Sequence, residues 1–240
     1  MATWSALFKK DFRLTKTIFF VGLVINLLSF LFALLVDKYF FIPLLAAAVF
    51  HVFYLPIILF ISLKTEANQP HIWLHSPRTG ATLLLSKVLN GLVMTIVSLL
   101  ILYLMAESLI ISRFSLIEAY WADARMAGLL IFPHIIMISI MLGVWVNLLW
   151  SLYHALKYRI GRWTWLALIG AVIILSWINA LFESSNLFKQ LTQWGSLEMN
   201  FPTFSIDPIP AYAGEYLYHL IVIVGLFYLS AWLIDRKVEM

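Results

Sequence analysis

From Thr17 to Val36 the chain runs twenty residues without a charge, and five further apolar runs of similar length follow it. A helix rises about 1.5 Å per residue, so each run spans the roughly 30 Å hydrocarbon layer of a bilayer. The spans are placed at 17–36, 42–63, 83–111, 127–152, 163–182 and 216–234. Lipid cannot satisfy an exposed backbone amide, and runs of this length select helices over barrel strands. The expected fold is an all-α polytopic membrane protein, six transmembrane helices forming a single membrane domain over residues 1–240. With 63% hydrophobic and 12% charged residues, the composition excludes a soluble domain. No small-residue cleavage site follows the first run, which reads as a retained helix rather than a signal peptide. The chain has no Cys, so disulfides and thiolate metal sites are excluded.

Six crossings place both termini on one side. Twelve of the sixteen Lys and Arg fall on that side, among them Lys9, Lys10, Arg13, Lys16, Lys64, Arg78 and Lys87. Only Lys38, Arg113, Arg125 and Lys189 fall on the other, together with eight of the twelve acids. The basic side is expected to be cytoplasmic, giving an N-in/C-in protein. The net charge of +4 is then a matter of topology and gives no support to a nucleic-acid partner. Lys87 and Glu107 bracket the third span and are expected at opposite interfaces.

Three segments lie outside the spans. In residues 1–16, Trp4, Leu7, Phe8, Phe12 and Leu14 share an arc, with Lys9, Lys10, Arg13 and Lys16 opposite, the pattern of an interfacial helix in contact with membrane lipids. Asp11 falls inside the apolar arc. The alternative is a basic tail that sets orientation. Residues 64–82, KTEANQPHIWLHSPRTGAT, form the longest cytoplasmic connection. Pro70 and Pro77 bar a continuous helix there, and Ser76, Thr79 and Gly80 supply turn and cap chemistry. Ile72, Trp73 and Leu74 either anchor this loop to headgroups or dock into a partner protein. Residues 183–215 form the longest external connection. Leu187, Phe188, Leu191, Trp194 and Leu197 recur at helical spacing ahead of the stretch FPTFSIDPIP, so an amphipathic element, re-entrant or lying on the surface, is expected.

Catalytic machinery is sparse. None of the ten glycines opens GxxxxGK[ST] or GxGxxG, and neither HExxH nor GxSxG occurs. His71 and His75 stand four apart without an acidic companion, a weak metal pattern. His51, His134, Asn26, Asn90, Asn147 and Asn179 lie in or near spans, where polar groups bond between helices or face a water-filled cavity. No catalytic, metal-binding or cofactor-binding residue is therefore expected.

The order of parts resembles a type-two ABC exporter permease: a short N-terminal helix, six spans with both ends inside, and a structured loop after the second span. LHSPRTGATLLLSKVL, residues 74–89, is similar to the family's loop and basic-ended start of the third helix, with Pro77, Arg78 and Lys87 carrying the match. The external element and the ending LSAWLIDRKVEM are similar to those of the small bacterial members. The resemblance implies a bacterial multi-pass cell-membrane permease without enzymatic activity. It implies a second permease subunit, the same chain or a related one, and separate cytoplasmic ATPase subunits that hold ATP and Mg. It further implies export of an amphipathic cargo such as an antimicrobial peptide or antibiotic, in the branch linked with antibiotic resistance. The implied ATPase-coupling residues are Ile72, Trp73, His75, Ser76, Pro77, Arg78 and Gly80. The alternatives are a substrate-binding subunit of an energy-coupling importer and an intramembrane enzyme using His134 or Glu107.

Overall fold

The computed structural model describes residues 4–36, 39–67, 78–114, 118, 121–201 and 206–237. In chain order the elements are α1 (Trp4–Leu35), α2 (Phe41–Phe50), α3 (Tyr54–Ala67), α4 (Gly80–Ser112), α5 (Trp121–Ile160), α6 (Thr164–Glu183), α7 (Asn186–Thr192), β1 (Ser196–Phe201), β2 (Ile206–Tyr212) and α8 (Ala213–Lys237). Five helical runs are long and apolar enough to cross a membrane, and one of them, Met126–Glu183, is 58 residues long. That run turns back at Gly161, whose φ of +53° is the left-handed conformation that ends a helix. Tyr153 then meets Trp165 at 5.4 Å, and Leu175 packs near Leu148 and Leu152, so α5 and α6 are an antiparallel pair. A bundle of six helical runs results, with the start of α1 and the end of α8 at the same, basic end. The chain is a multi-pass α-helical membrane protein.

The second span is not one helix. Pro56 has no N–H to offer the carbonyl one turn earlier, and the chain tightens into a 3-10 turn at His51–Phe53 between α2 and α3. The separate interfacial helix expected over 1–16 is replaced by a continuous α1 of 32 residues. No Gly or Pro interrupts residues 4–21, and the buried residues of α1 are Asp11, Thr15, Gly22, Asn26 and Ala33. Its large apolar side chains, including Trp4, Phe12, Phe20, Leu28 and Phe32, are exposed. The small and polar stripe therefore packs inward, and the apolar arc faces lipid, as expected where lipid is as apolar as a side chain.

At the acidic end the all-α expectation also needs correcting. β1 and β2 form an antiparallel hairpin in which Ser196 pairs with Tyr212, with a bulge between Met199 and Phe201. Pro208 and Pro210 argue against a strand, but a two-stranded ribbon leaves an unpaired edge where Pro costs no ladder bond. The hairpin starts at Gly195, whose φ is +64°.

α4 is the central helix: one of its faces is buried from Gly80 to Leu109 against α1, α3, α5 and α8, and Leu89, Val93, Leu100 and Leu104 on its other face are exposed. Close approach of α1 and α3 depends on Gly22, where a Cβ would collide with the Tyr54 ring. Tyr54 donates its hydroxyl to the Phe19 carbonyl at 3.0 Å. Gly22→Val is expected to displace Tyr54 and destabilise the bundle by about 1–3 kcal/mol, the usual cost of overpacking. A lowered midpoint of thermal unfolding in mild detergent checks this.

Candidate functional site

At the basic end a set of charges is folded inward. Lys87 and Asp11 are each 2% exposed. Lys87 donates to Asp11 Oδ1 at 3.0 Å and to Ser62 Oγ at 3.0 Å, and its ammonium is ion-paired with Glu66 Oε2 at 2.9 Å. Ser86 donates to Asp11 Oδ2 at 2.6 Å, and Lys10 pairs with Glu66. Two carboxylates and two ammoniums thus balance, and each buried charge has a partner. The cluster joins α1, α3 and α4. Lys87, four residues after Leu83, falls on the inward face of α4 and is enclosed by protein.

The same end of α4 is bound to α8. Thr79 caps the helix by accepting from the Thr82 amide, and the Gly80 N–H donates to Asp235 Oδ1 at 2.7 Å. A Cβ on Gly80 would lie 3.0 Å from Ile234 and 3.1 Å from the Ala231 carbonyl, so only glycine lets α4 start this close to α8.

Further along the helices the polar residues bond across the bundle. Asn26 donates to the Ser98 carbonyl at 3.0 Å and to its hydroxyl at 3.1 Å. His51 Nδ1 lies 2.7 Å from the Ala47 carbonyl, which makes it the protonated nitrogen, and Nε2 accepts from Ser98 at 3.0 Å. Asn90 donates to the Phe8 carbonyl at 3.0 Å. Asn147 is fully buried and its amide has no hydrogen-bond partner among the described residues. At the acidic end Arg113 donates to the carbonyls of Leu34 at 2.9 Å and Val36 at 2.6 Å, closing the C-terminus of α1. Its guanidinium stands 5.4 Å from the Phe40 ring centre.

Between α5, α6 and α8 lies a cavity of about 1030 Å³. Met137, Met141 and Trp145 line its apolar walls, and Glu183, Glu215 and His219 line it nearer the acidic end. The polar part is organised: Asn179 donates to Glu183 Oε1 at 2.8 Å and accepts from the Tyr218 hydroxyl at 2.6 Å. Tyr216 places its hydroxyl 3.3 Å from Nε2 of His134, whose Nδ1 faces the Leu130 carbonyl at 2.7 Å. A second cavity of about 650 Å³ lies between α3, α5 and α6 near the basic end, lined by Phe60, Trp150, Tyr153 and Trp165.

Of the expected coupling residues, Ile72, Trp73, His75, Ser76 and Pro77 lie outside the described residues, as do His71 and Leu74. Arg78 is half-buried just before α4, and Gly80 is its first residue. In the N-terminal segment Trp4, Lys9, Lys10, Phe12 and Arg13 are exposed, Leu7 and Phe8 half-buried. In the external element Phe188 turns inward, packing 5.7 Å from Phe182 and 5.1 Å from Tyr218. Leu187, Leu191 and Trp194 are exposed, so the four do not act as one face; α7 has only seven residues, and Phe188 and Thr192 form its buried side. Sequence reasoning passed over Asp11, Glu66 and Asp235 as site residues. Asp11 alone gave a signal, as a charge within an apolar arc.

The chain matches no family model, no curated protein and no solved structure. Its class therefore rests on the fold: a helical bundle with a neutralised charge cluster at one end and a partly polar cavity toward the other.

Lys87→Met leaves Asp11 buried without its principal cation. It is expected to cost about 3–5 kcal/mol, and adding Asp11→Asn is expected to restore part of that loss. Unfolding midpoints of the two single variants and the double variant in mild detergent measure the coupling; an additive result would rule out the pairing.

Proposed function

We propose that this chain is the transmembrane permease subunit of a bacterial ABC exporter, one of two permeases served by separate ATPase subunits. Its cargo is an amphipathic molecule of the antimicrobial-peptide or antibiotic kind. ATP hydrolysis belongs to the partner, since the chain has no phosphate-binding glycine loop.

The observation that carries this reading is the set of bonds flanking residues 68–77. On one side the last turn of α3 carries Glu66, tied to Lys87 and Lys10; on the other α4 begins at Gly80, tied to Asp235. A push delivered to the connection between them is shared by α1, α3, α4 and α8 rather than absorbed at one helix end. A coupling element needs such a mounting, because ATP binding shifts a permease only through contacts that differ between its two states. The cavity between α5, α6 and α8 offers room for cargo.

A mild-detergent pull-down of the tagged chain from its native membrane is expected to recover a stoichiometric ATPase subunit. Recovery of this chain alone, under conditions that keep other membrane complexes intact, would overturn the proposal. Trp73→Ala with Arg78→Ala is expected to bring permease-stimulated ATP hydrolysis close to the unstimulated rate while membrane insertion and assembly persist. Unchanged stimulation in the assembled complex would remove these residues from the coupling role.

A further inference from the structure

The cavity between α5, α6 and α8 has a definite sign. Two carboxylates, Glu183 and Glu215, line it, and no Lys or Arg does so among the described residues. Both carboxylates are half-buried, and Glu183 is oriented by the bond from Asn179, itself held by Tyr218. Away from them the walls are apolar and soft, with Met137, Met141 and Trp145. Thioethers accommodate varied shapes, and aromatic faces attract cations. At about 1030 Å³ the space is at the upper end of sites that enclose drug-sized molecules.

We propose that this cavity binds an amphiphile headed by an ammonium group, with the head against Glu183 and Glu215 and the apolar body along Met137, Met141 and Trp145. The inference names the cargo class and rests on the transport reading for its physiological meaning. Half-buried carboxylates at the edge of an apolar cavity are stabilised by a cation, and this cavity provides none of its own beyond the two histidines that line it, His134 and His219. A neutral amphiphile gains only the apolar contacts, and an anionic one is repelled.

The purified chain in phosphatidylglycerol nanodiscs, without any ATPase, serves for the test. Binding of a dansyl-labelled dodecylammonium is compared with that of the equivalent dansyl-labelled dodecanol. The cationic probe is expected to bind about tenfold more tightly, the worth of one partly desolvated charge-assisted contact. Glu183→Gln with Glu215→Gln is expected to bring it down to the level of the neutral probe, whose binding stays as it was and reports an intact cavity. Glu215→Gln alone, which leaves the Asn179 bond untouched, gives a smaller loss and serves if the double variant does not fold. Glu198→Gln, on β1, leaves both probes unaffected. Met141→Trp, which fills the apolar end, weakens both.

Equal binding of the two probes, or cationic binding unchanged by loss of both carboxylates, overturns the inference. Repeating the measurement with phosphatidylethanolamine in the nanodisc separates the sources of the ammonium. Displacement of the probe assigns the head to a lipid, and persistence assigns it to a free cargo; both uphold the ligand chemistry. An absent ATPase in the pull-down leaves these binding results standing, and absent probe binding leaves the pull-down result standing.

Discussion

A lysine ammonium buried inside a bundle is tolerable only where counter-charge and hydrogen-bond acceptors meet it together. Lys87 sits in such a clamp, donating to Asp11 and Ser62 and ion-paired with Glu66, each from a different turn of two neighbouring helices. The requirement sets the register of α1 and α3 against α4, because a slip of one turn in either separates a buried charge from its counterion. A second constraint acts at the far end, where Arg113 closes the carbonyls of α1. Asp11 to Val36 covers 25 positions and Lys87 to Arg113 covers 26, so the two parallel helices are matched in length between their fixed ends. Dispersion alone discriminates weakly between registers of two apolar helices in lipid; polar contacts at both ends, with Asn26 on Ser98 between them, discriminate strongly.

The spans were legible because their signal is additive: twenty apolar residues in succession have few alternatives. The faces of those spans were not legible from the same signal. The arc of Trp4, Leu7, Phe8 and Phe12 reads as the lipid-facing side of a separate interfacial helix. In a bundle bathed by lipid the arc carries no such information, since side chains on either face meet apolar surroundings. The stripe Asp11, Thr15, Gly22, Asn26, Ala33 was the one to follow, its small and polar residues marking where helices touch. Asp11 was the visible exception in the arc, and it is also the residue on which the clamp depends.

Nonlocal pairing hid the rest. β1 and β2 are short and β2 carries two prolines, so neither announces itself; only their mutual register makes them strands. Phe188 looked equivalent to Leu187 and Leu191 by spacing, and what separates it is the aromatic company of Phe182 and Tyr218, contributed by the ends of α6 and α8. Glu183 and Glu215 were counted only as outer charges. Their significance comes from the closing of α6 and α8 around one cavity, which no window along the chain contains.

The start of α4 and the cavity are connected through α8. Its last turns hold Asp235 against the Gly80 amide, and its first turns contribute Glu215, Tyr216, Tyr218 and His219 to the cavity. Between them runs an uninterrupted helix of 25 residues, stiff enough to behave as a lever. The Gly80–Asp235 bond ties the start of α4 to the end of α8. α6 shares fewer contacts with the remainder: its buried residues are Thr164 and Leu168, both in its first turns near the hairpin at Gly161. Near the cavity, however, α6 is tied to α8: Tyr218 donates to Asn179, which in turn holds Glu183, and the Phe182 ring lies 5.7 Å from that of Tyr218. Glu183 and Glu215 are thus both mounted on contacts of α8, the helix whose far end meets the start of α4.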